Sequence, residues 1–318
     1  MTKTILVTGG AGFIGSHLVN RLIIEGYDVV VIDDFNDYYN PFWKEQNIAH
    51  YVKYENFRLY RGSITDKNIL NEIFKKEHIN IIIHLAARAG VRPSIEDPHL
   101  YYEVNIVGTL NLLECARKYN VKDFVFISSS SVYGNFQKAI LSEDERTDKQ
   151  ASPYGATKKS GELLVYTYHH LFGLSCVILR FFTVYGERSR PDMAPYLFTD
   201  ALLHHKKIKK FGNGFSQRDY TYVGDIVDGI TKCLEKNFSY EIINLGNSSP
   251  VTFNDLIAIL EEITGEKAEI DVYLDQPGDV LSTHADITKA KNLLGWVPKT
   301  SLREGLLRFV IWYRKNRL

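Results

Sequence analysis

The chain has 318 residues, 45% of them hydrophobic and 24% charged, enough for a sizeable core and about two structural units. Its 38 Lys and Arg balance 38 Asp and Glu, so no net field recruits nucleic acid or acidic lipid. No apolar run reaches the ~18 residues of a membrane span.

Met1-Thr-Lys-Thr runs directly into a strand predicted over 3–8, so no signal peptide is expected. The turn Thr8-Gly9-Gly-Ala-Gly12-Phe13-Ile14-Gly15 follows and opens a helix over 12–25. In that setting glycine at 9 permits a tight turn, at 12 lets backbone approach a pyrophosphate, and at 15 lets helix pack on strand. The phosphates would sit on free N–H groups at the helix start. A second strand over 28–32 ends at Asp33, whose carboxylate suits adenosine ribose hydroxyls and repels a 2′-phosphate, so NAD is expected rather than NADP. Further strands are predicted over 57–61, 79–84, 124–128 and 175–181. Helices over 65–76, 98–119 and 153–172 alternate with them. The alternation, with strands apolar throughout, predicts a doubly wound parallel α/β sheet of the Rossmann kind.

At the end of the 124–128 strand stand four hydroxyls and no acid, Ser128-Ser129-Ser130-Ser131-Val-Tyr-Gly134. Ser128 reads as a strand-end cap. Next, Tyr154-Gly-Ala-Thr-Lys158 falls near a helix start capped by Ser152, with Pro153 in the first turn. The i, i+4 spacing puts phenol and ammonium on one face. A nearby cation favours phenolate, which makes Tyr154 a candidate base for a substrate hydroxyl and Lys158 its electrostatic partner.

Beyond Thr183 prolines and glycines punctuate shorter elements. This predicts a smaller, interleaved substrate lobe: 1–183 plus about 224–248 bind the cofactor, and 184–223 with 249–318 bind the substrate. The basic run His204–Lys210 reads as a solvated helix face. Cys115, Cys176 and Cys233 show no metal spacing and sit in apolar runs, as reduced core residues of a cytoplasmic protein would.

Together the glycine trio, Tyr154/Lys158, the serine-rich strand end and His84-Leu85-Ala86-Ala87-Arg-Ala-Gly90 resemble the extended short-chain dehydrogenase/reductase superfamily. So do Arg218-Asp-Tyr-Thr-Tyr-Val-Gly-Asp225 and Gln276-Pro-Gly-Asp-Val280. The resemblance implies that Ser129 is the catalytic hydroxyl partner of Tyr154. It also implies cofactor contacts at Phe13, Ile14, Ser63, Ile64, Leu85, Ala86, Ala87 and Lys158. The family usually has an acid where Ser63 stands, so this serine would accept only weakly from adenine. Related 4,6-dehydratases carry Asp-Glu, and UDP-glucuronate decarboxylases a Glu, where this chain has Ser130 and Ser131. Without an extra acid, oxidation followed by re-reduction is the simplest chemistry, and that is epimerisation.

Arg180-Phe-Phe-Thr183-Val-Tyr-Gly-Glu-Arg188-Ser-Arg190-Pro-Asp-Met-Ala194 and Gly90-Val-Arg92-Pro-Ser-Ile-Glu-Asp-Pro98 are similar to the UDP-glucuronate 4-epimerase family. The similarity implies UDP-glucuronic and UDP-galacturonic acids as the interconverted pair and a homodimer. Tyr154, relayed through Ser129, would take the C4 proton while bound NAD⁺ takes the hydride and returns it to the opposite face. A guanidinium can hold the sugar carboxylate in a two-pronged geometry. Arg190 is favoured for it, with Arg188 as the other candidate. Thr183, Ser130 and Ser131 are expected nearby, keeping the 4-keto acid from losing carbon dioxide. Arg218 would bind the pyrophosphate. Arg92 either lies near sugar or phosphate or forms a helix-start ion pair. The stretch 209–214 would pair with uracil, and Asp279 would order the ribose or its loop. The alternatives are a neutral-sugar 4-epimerase, a decarboxylase, and a non-catalytic NAD-binding sensor or scaffold.

Overall fold

The computed structural model describes residues 2–135, 140–274 and 282–318. Six strands come first: β1 (Thr4–Thr8), β2 (Asp28–Asp33), β3 (Phe57–Arg61), β4 (Ile81–His84), β5 (Asp123–Ser129) and β6 (Ser175–Phe181). They are followed by β7 (Thr183–Tyr185), β8 (Ile208–Phe211), β9 (Gln217–Tyr222), β10 (Tyr240–Leu245), β11 (Pro250–Thr252) and β12 (Ile270–Tyr273). The central sheet has seven strands in the order β10-β6-β5-β4-β1-β2-β3. Neighbours from β3 to β5 run parallel, as strands joined through helices must. Because helices cover both faces, β1, β2 and β4 can be apolar at consecutive positions: Ile5, Leu6, Val7, Val29–Ile32 and Ile81–Ile83 are all buried. The order turns back on itself at β1, which opens the crevice at the carboxyl ends of β1 and β4 where such sheets bind nucleotides.

Contacts divide the chain into two compact units. The first comprises Met1–Phe136, Asp144–Arg180 and Ile230–Ile243. Its helices follow the pattern written in the sequence. In Lys67–Lys76, Leu70, Ile73 and Phe74 fall on one buried face and Asp66 caps the first turn by accepting from the Asn68 N–H at 2.8 Å. Helix Pro153–Phe172 is capped by Ser152, which accepts from Gly155 at 3.1 Å, and ends at Gly173 in the left-handed region. The single helix expected over 98–119 is instead three pieces. Pro98–Tyr102 and Gly108–Lys118 flank a π-helical turn, Glu103–Val107, in which Gly108 N–H reaches back to Glu103 O. The widened turn turns Asn105 inward, an irregularity with no period for a sequence to show.

The second unit comprises Gln137–Glu143, Phe181–Gly229 and Asn244–Leu318. It holds the three-stranded order β11-β9-β7 and the parallel pair β12-β8. Buried Asp219 on β9 accepts backbone N–H groups from Asn247, Ser248 and Ala285 at 2.6, 3.0 and 2.9 Å, fastening two loops to one strand. Trp296, fully buried, donates its indole N–H to Asp225 O at 2.9 Å.

Candidate active site

The glycine turn is built tightly around β1. Gly9 has φ +70°, and a Cβ there would lie 2.9 Å from Ala86 backbone. At Gly15 a Cβ would come within 2.2 Å of Gly9 O. Packing therefore explains these two glycines. It does not explain Gly12, where a Cβ would meet only Gly9 O, at 3.3 Å, and otherwise face open space. That open side adjoins the first turn of helix Phe13–Ile24, which has no side-chain cap, so its leading N–H groups can take a phosphate. Phe13 and Ser16 are buried; a backbone role at Phe13 and Ile14 fits their place in that first turn.

Asp33 is buried at the end of β2. Its two oxygens accept from Ala11 N–H at 3.0 Å and Phe35 N–H at 2.9 Å. Burial pushes its pKa up, and these two donors and Lys44 pull the other way. A carboxylate has about four acceptor positions, so two remain for ribose hydroxyls. Ser63 already accepts from Thr65 N–H at 3.1 Å, while Ile64 is core and packs at Gly108. After β4 the loop through Leu85, Ala86 and Ala87 is fastened from both sides. Leu85 N–H donates to Thr8 O at 3.2 Å, and Ala86 N–H to Thr8 Oγ1 at 3.1 Å. Asn105 exchanges bonds with the Arg88 backbone at 2.8 and 2.9 Å and donates to Thr157 at 2.9 Å.

The four hydroxyls divide their labour. Ser128 is not a cap: it donates to Glu162 Oε1 at 2.7 Å. The cap is Ser129, which accepts from Ser131 N–H at 3.1 Å and donates to Ser131 Oγ at 3.2 Å, starting the short turn Ser130–Tyr133. Ser129, Ser130 and Ser131 are all half-buried. Glu162 meets Arg180 in a two-pronged pair, and Lys159 adds a second cation at 3.1 Å. Burial alone would raise the Glu162 carboxyl, but the Arg180 fork more than reverses it and holds the group below its ordinary pKa.

On the facing helix Lys158 is 5% exposed, donates to Ile127 O at 2.7 Å and lies 5.3 Å from the Phe126 ring centroid. Desolvation pushes its pKa down to about 8, against the pull of Glu162. Tyr154, one turn earlier, is held by its backbone N–H on Ser94 Oγ at 3.1 Å and by an edge-on contact with Tyr101. His84, beside them in the buried layer, bridges Thr8 at 2.8 Å and Thr109 at 2.9 Å. Burial, then the Lys158 charge, pushes its pKa down to about 3. Asn105, Thr8 and Glu162 leave only one trace in the sequence, a polar residue on a face that should be apolar. Arg92 is exposed at the start of helix Val91–Glu96.

In the second unit, half-buried Thr183 opens β7. Arg188 adopts φ +61°, and its Nη1 is buried with no hydrogen-bond partner among the described residues. Arg190 is engaged by Asp192, with Nε to Oδ1 at 2.9 Å and Nη2 to Oδ2 at 2.8 Å. Arg218, half-buried on β9, donates to Gln217 O at 2.8 Å. The 209–214 stretch holds the last three residues of β8 and the turn after it. Asp279 lies outside the described residues.

The family model described as GDP-mannose 4,6 dehydratase matches residues 6–309. A UDP-glucuronate 4-epimerase of Thermodesulfobacterium geofontis is 46% identical over 312 residues, covering 98% of this chain and 96% of the relative. The crystal structure of a UDP-glucuronic acid 4-epimerase from Bacillus cereus, in complex with UDP-glucuronic acid and NAD, superposes with a TM-score of 0.93 at 39% identity. That match covers 98% of this chain and 99% of the other. A UDP-glucose 4-epimerase from Thermotoga maritima, with UDP-glucose, gives a TM-score of 0.91 at 37% identity over 98% and 99% of the two chains.

Proposed function

The chain belongs to the GDP-mannose 4,6 dehydratase family, and on that premise we propose that it is an NAD-dependent UDP-glucuronate 4-epimerase. It interconverts UDP-glucuronic and UDP-galacturonic acids through a 4-keto hexuronic acid and keeps every carbon. The observation that carries this reading is the strand end itself. Elimination or decarboxylation would call on an acid at positions 130 and 131, and both are serines. Glu162, the carboxylate that accepts from Ser128, is bound by Arg180 through both oxygens.

NAD, when bound, supplies the redox step by accepting hydride from C4 and giving it back. The chain's own groups do the rest. Buried Lys158, with a pKa of about 8, stays cationic at neutral pH and favours the Tyr154 phenolate. Tyr154 takes the C4-hydroxyl proton and later returns it. Ser129, whose hydroxyl now donates to Ser131, turns that donor to the reacting oxygen. Thr183, Ser131 and Arg190 hold the carboxylate out of the alignment that would release carbon dioxide. Arg218 takes the pyrophosphate as a charge-assisted donor. Asp33, Gly12 and the leading turn of helix Phe13–Ile24 hold the dinucleotide.

Likeness to a neutral-sugar 4-epimerase supports a second reading, in which UDP-glucose is the substrate. Comparing kcat/KM for UDP-glucuronate and UDP-glucose separates the two; the uronate is expected to win by at least tenfold. The chain also acts as a homodimer in this reading. Leu110 on Gly108–Lys118 and Leu163 and Tyr166 on Pro153–Phe172 are exposed apolar side chains, which pairing of these helices with a second copy would cover. Sedimentation measures it. A cytoplasmic location goes with Cys115, Cys176 and Cys233, which are buried and outside any disulfide.

A further inference from the structure

Arg190-Pro191-Asp192-Met193 is a closed turn, with Met193 N–H donating to Arg190 O at 3.2 Å. Proline at its second position fixes φ and is preferred there. The turn sets the side chains of Arg190 and Asp192 side by side. Asp192 thereby fills the Nε–Nη2 edge of the guanidinium with two bonds, at 2.9 and 2.8 Å. That edge is one of the two at which a guanidinium can take a carboxylate in this two-pronged geometry. The two partners are unequally placed: the guanidinium is 21% exposed and the carboxylate 38%. Nη2 also touches Met193 Sδ at 3.6 Å. Of the pair, the carboxylate is the more exposed.

We propose that Asp192 is a stand-in for the substrate's carboxylate, filling the Arg190 fork until a uronate displaces it. This rests on the proposed uronate reading and on Arg190 as the carboxylate's ligand. A neutral sugar brings no anion and leaves the Arg190–Asp192 pair closed. A uronate exchanges one carboxylate for another, so the guanidinium is never left without a counter-ion. The turn then works as a specificity device: Asp192 taxes uronate binding slightly, and it spares Arg190 a desolvated, unpaired state when the sugar is absent. Exposed ion pairs are weak, so the tax amounts to about two- to fivefold in affinity.

The experiment compares wild-type holoenzyme with Asp192→Asn, Arg190→Ala and the double variant. It measures KM for UDP-glucuronate and the inhibition constant of UDP-glucose against it. In Asp192→Asn the uronate KM should fall about two- to fivefold, with a smaller change for UDP-glucose. In the Arg190→Ala background the same substitution should do nothing further. A uronate KM that rises in Asp192→Asn would show Asp192 to be an orienting partner of Arg190 and overturn the proposal. Equal shifts for both ligands would overturn it too. Failure of the parent reading looks different: Arg190→Ala would leave the uronate KM unmoved, or the wild type would form no UDP-galacturonate.

Discussion

Glu162 takes both prongs of the Arg180 guanidinium, Nε and Nη2 each at 2.8 Å, one helical turn beyond Lys158. Both partners are almost wholly buried, at 1% and 2% side-chain exposure. Since Ser128 donates to the same carboxylate, the pair ties the end of β5, the helix that carries Tyr154 and Lys158, and β6 into one piece. Arg180 also donates to Tyr133 at 3.1 Å and lies 4.9 Å from its ring centroid.

Breaking this pair should be expensive, and removing it whole should not. Arg180→Leu leaves a buried carboxylate without its partner, at about 3–5 kcal/mol. Arg180→Leu with Glu162→Leu should recover most of that loss in urea unfolding, while activity stays low because the strand end has lost its tie. A double variant as unstable as the single one would contradict this.

Lys158 should be a cost to stability that function retains. Its folded pKa of about 8 lies below the ordinary 10.5. Between pH 8 and 10.5 the unfolded chain therefore binds the extra proton and wild-type stability rises with pH; below pH 8 the full penalty stands. That penalty is about 3 kcal/mol, and the bond to Ile127 O returns about 1. Lys158→Met should therefore gain about 2 kcal/mol at pH 7, an advantage that shrinks above pH 8, and lose nearly all turnover. Wild-type kcat should decline above about pH 8 as the ammonium titrates. Thermal scans across pH and a pH–rate profile check both halves.

His84 should stay neutral well below pH 6. Thr109 spends its proton on Asn105 O at 2.6 Å, so the imidazole must donate to Thr109 from Nε2 and accept from Thr8 at Nδ1. With a folded pKa of about 3 against 6.5 unfolded, stability is lost as pH falls below 6.5, by about 2 kcal/mol at pH 5. Nitrogen NMR of the ring should show the Nε2–H tautomer at pH 5.5. An imidazolium there would refute the assignment.

Retention of the carboxylate depends on hydroxyls. Ser131→Glu or Thr183→Ala should divert about a tenth or more of the 4-keto acid to a UDP-pentose visible by NMR, which places the decarboxylation barrier within about 1.3 kcal/mol of that for re-reduction. Unchanged product ratios would remove Ser131 and Thr183 from that role.

Much of this was legible in the residues. Apolar runs such as Ile81–Ile83, the glycine turn and the Ser152-Pro153 cap each carry a local physical reason, so each is legible from its own neighbours in the chain. Ser128 could not, because its partner Glu162 is 34 positions away and a strand-end cap was an equally good local explanation. Asn105 escaped for a different reason: a π turn leaves no periodic signature, and the 98–119 pattern reads as one helix. The Asp192 fork was hidden in plain view, since the Arg-Pro-Asp spacing says nothing about which face each side chain takes.

The central claim is that the hydrogen at C4 leaves and returns within one active site. Conversion of UDP-glucuronate carrying deuterium at C4 tests it directly. The label should reappear undiminished at C4 of UDP-galacturonate, with all six sugar carbons present. Loss of the label to water, or a pentose as the product, would contradict it.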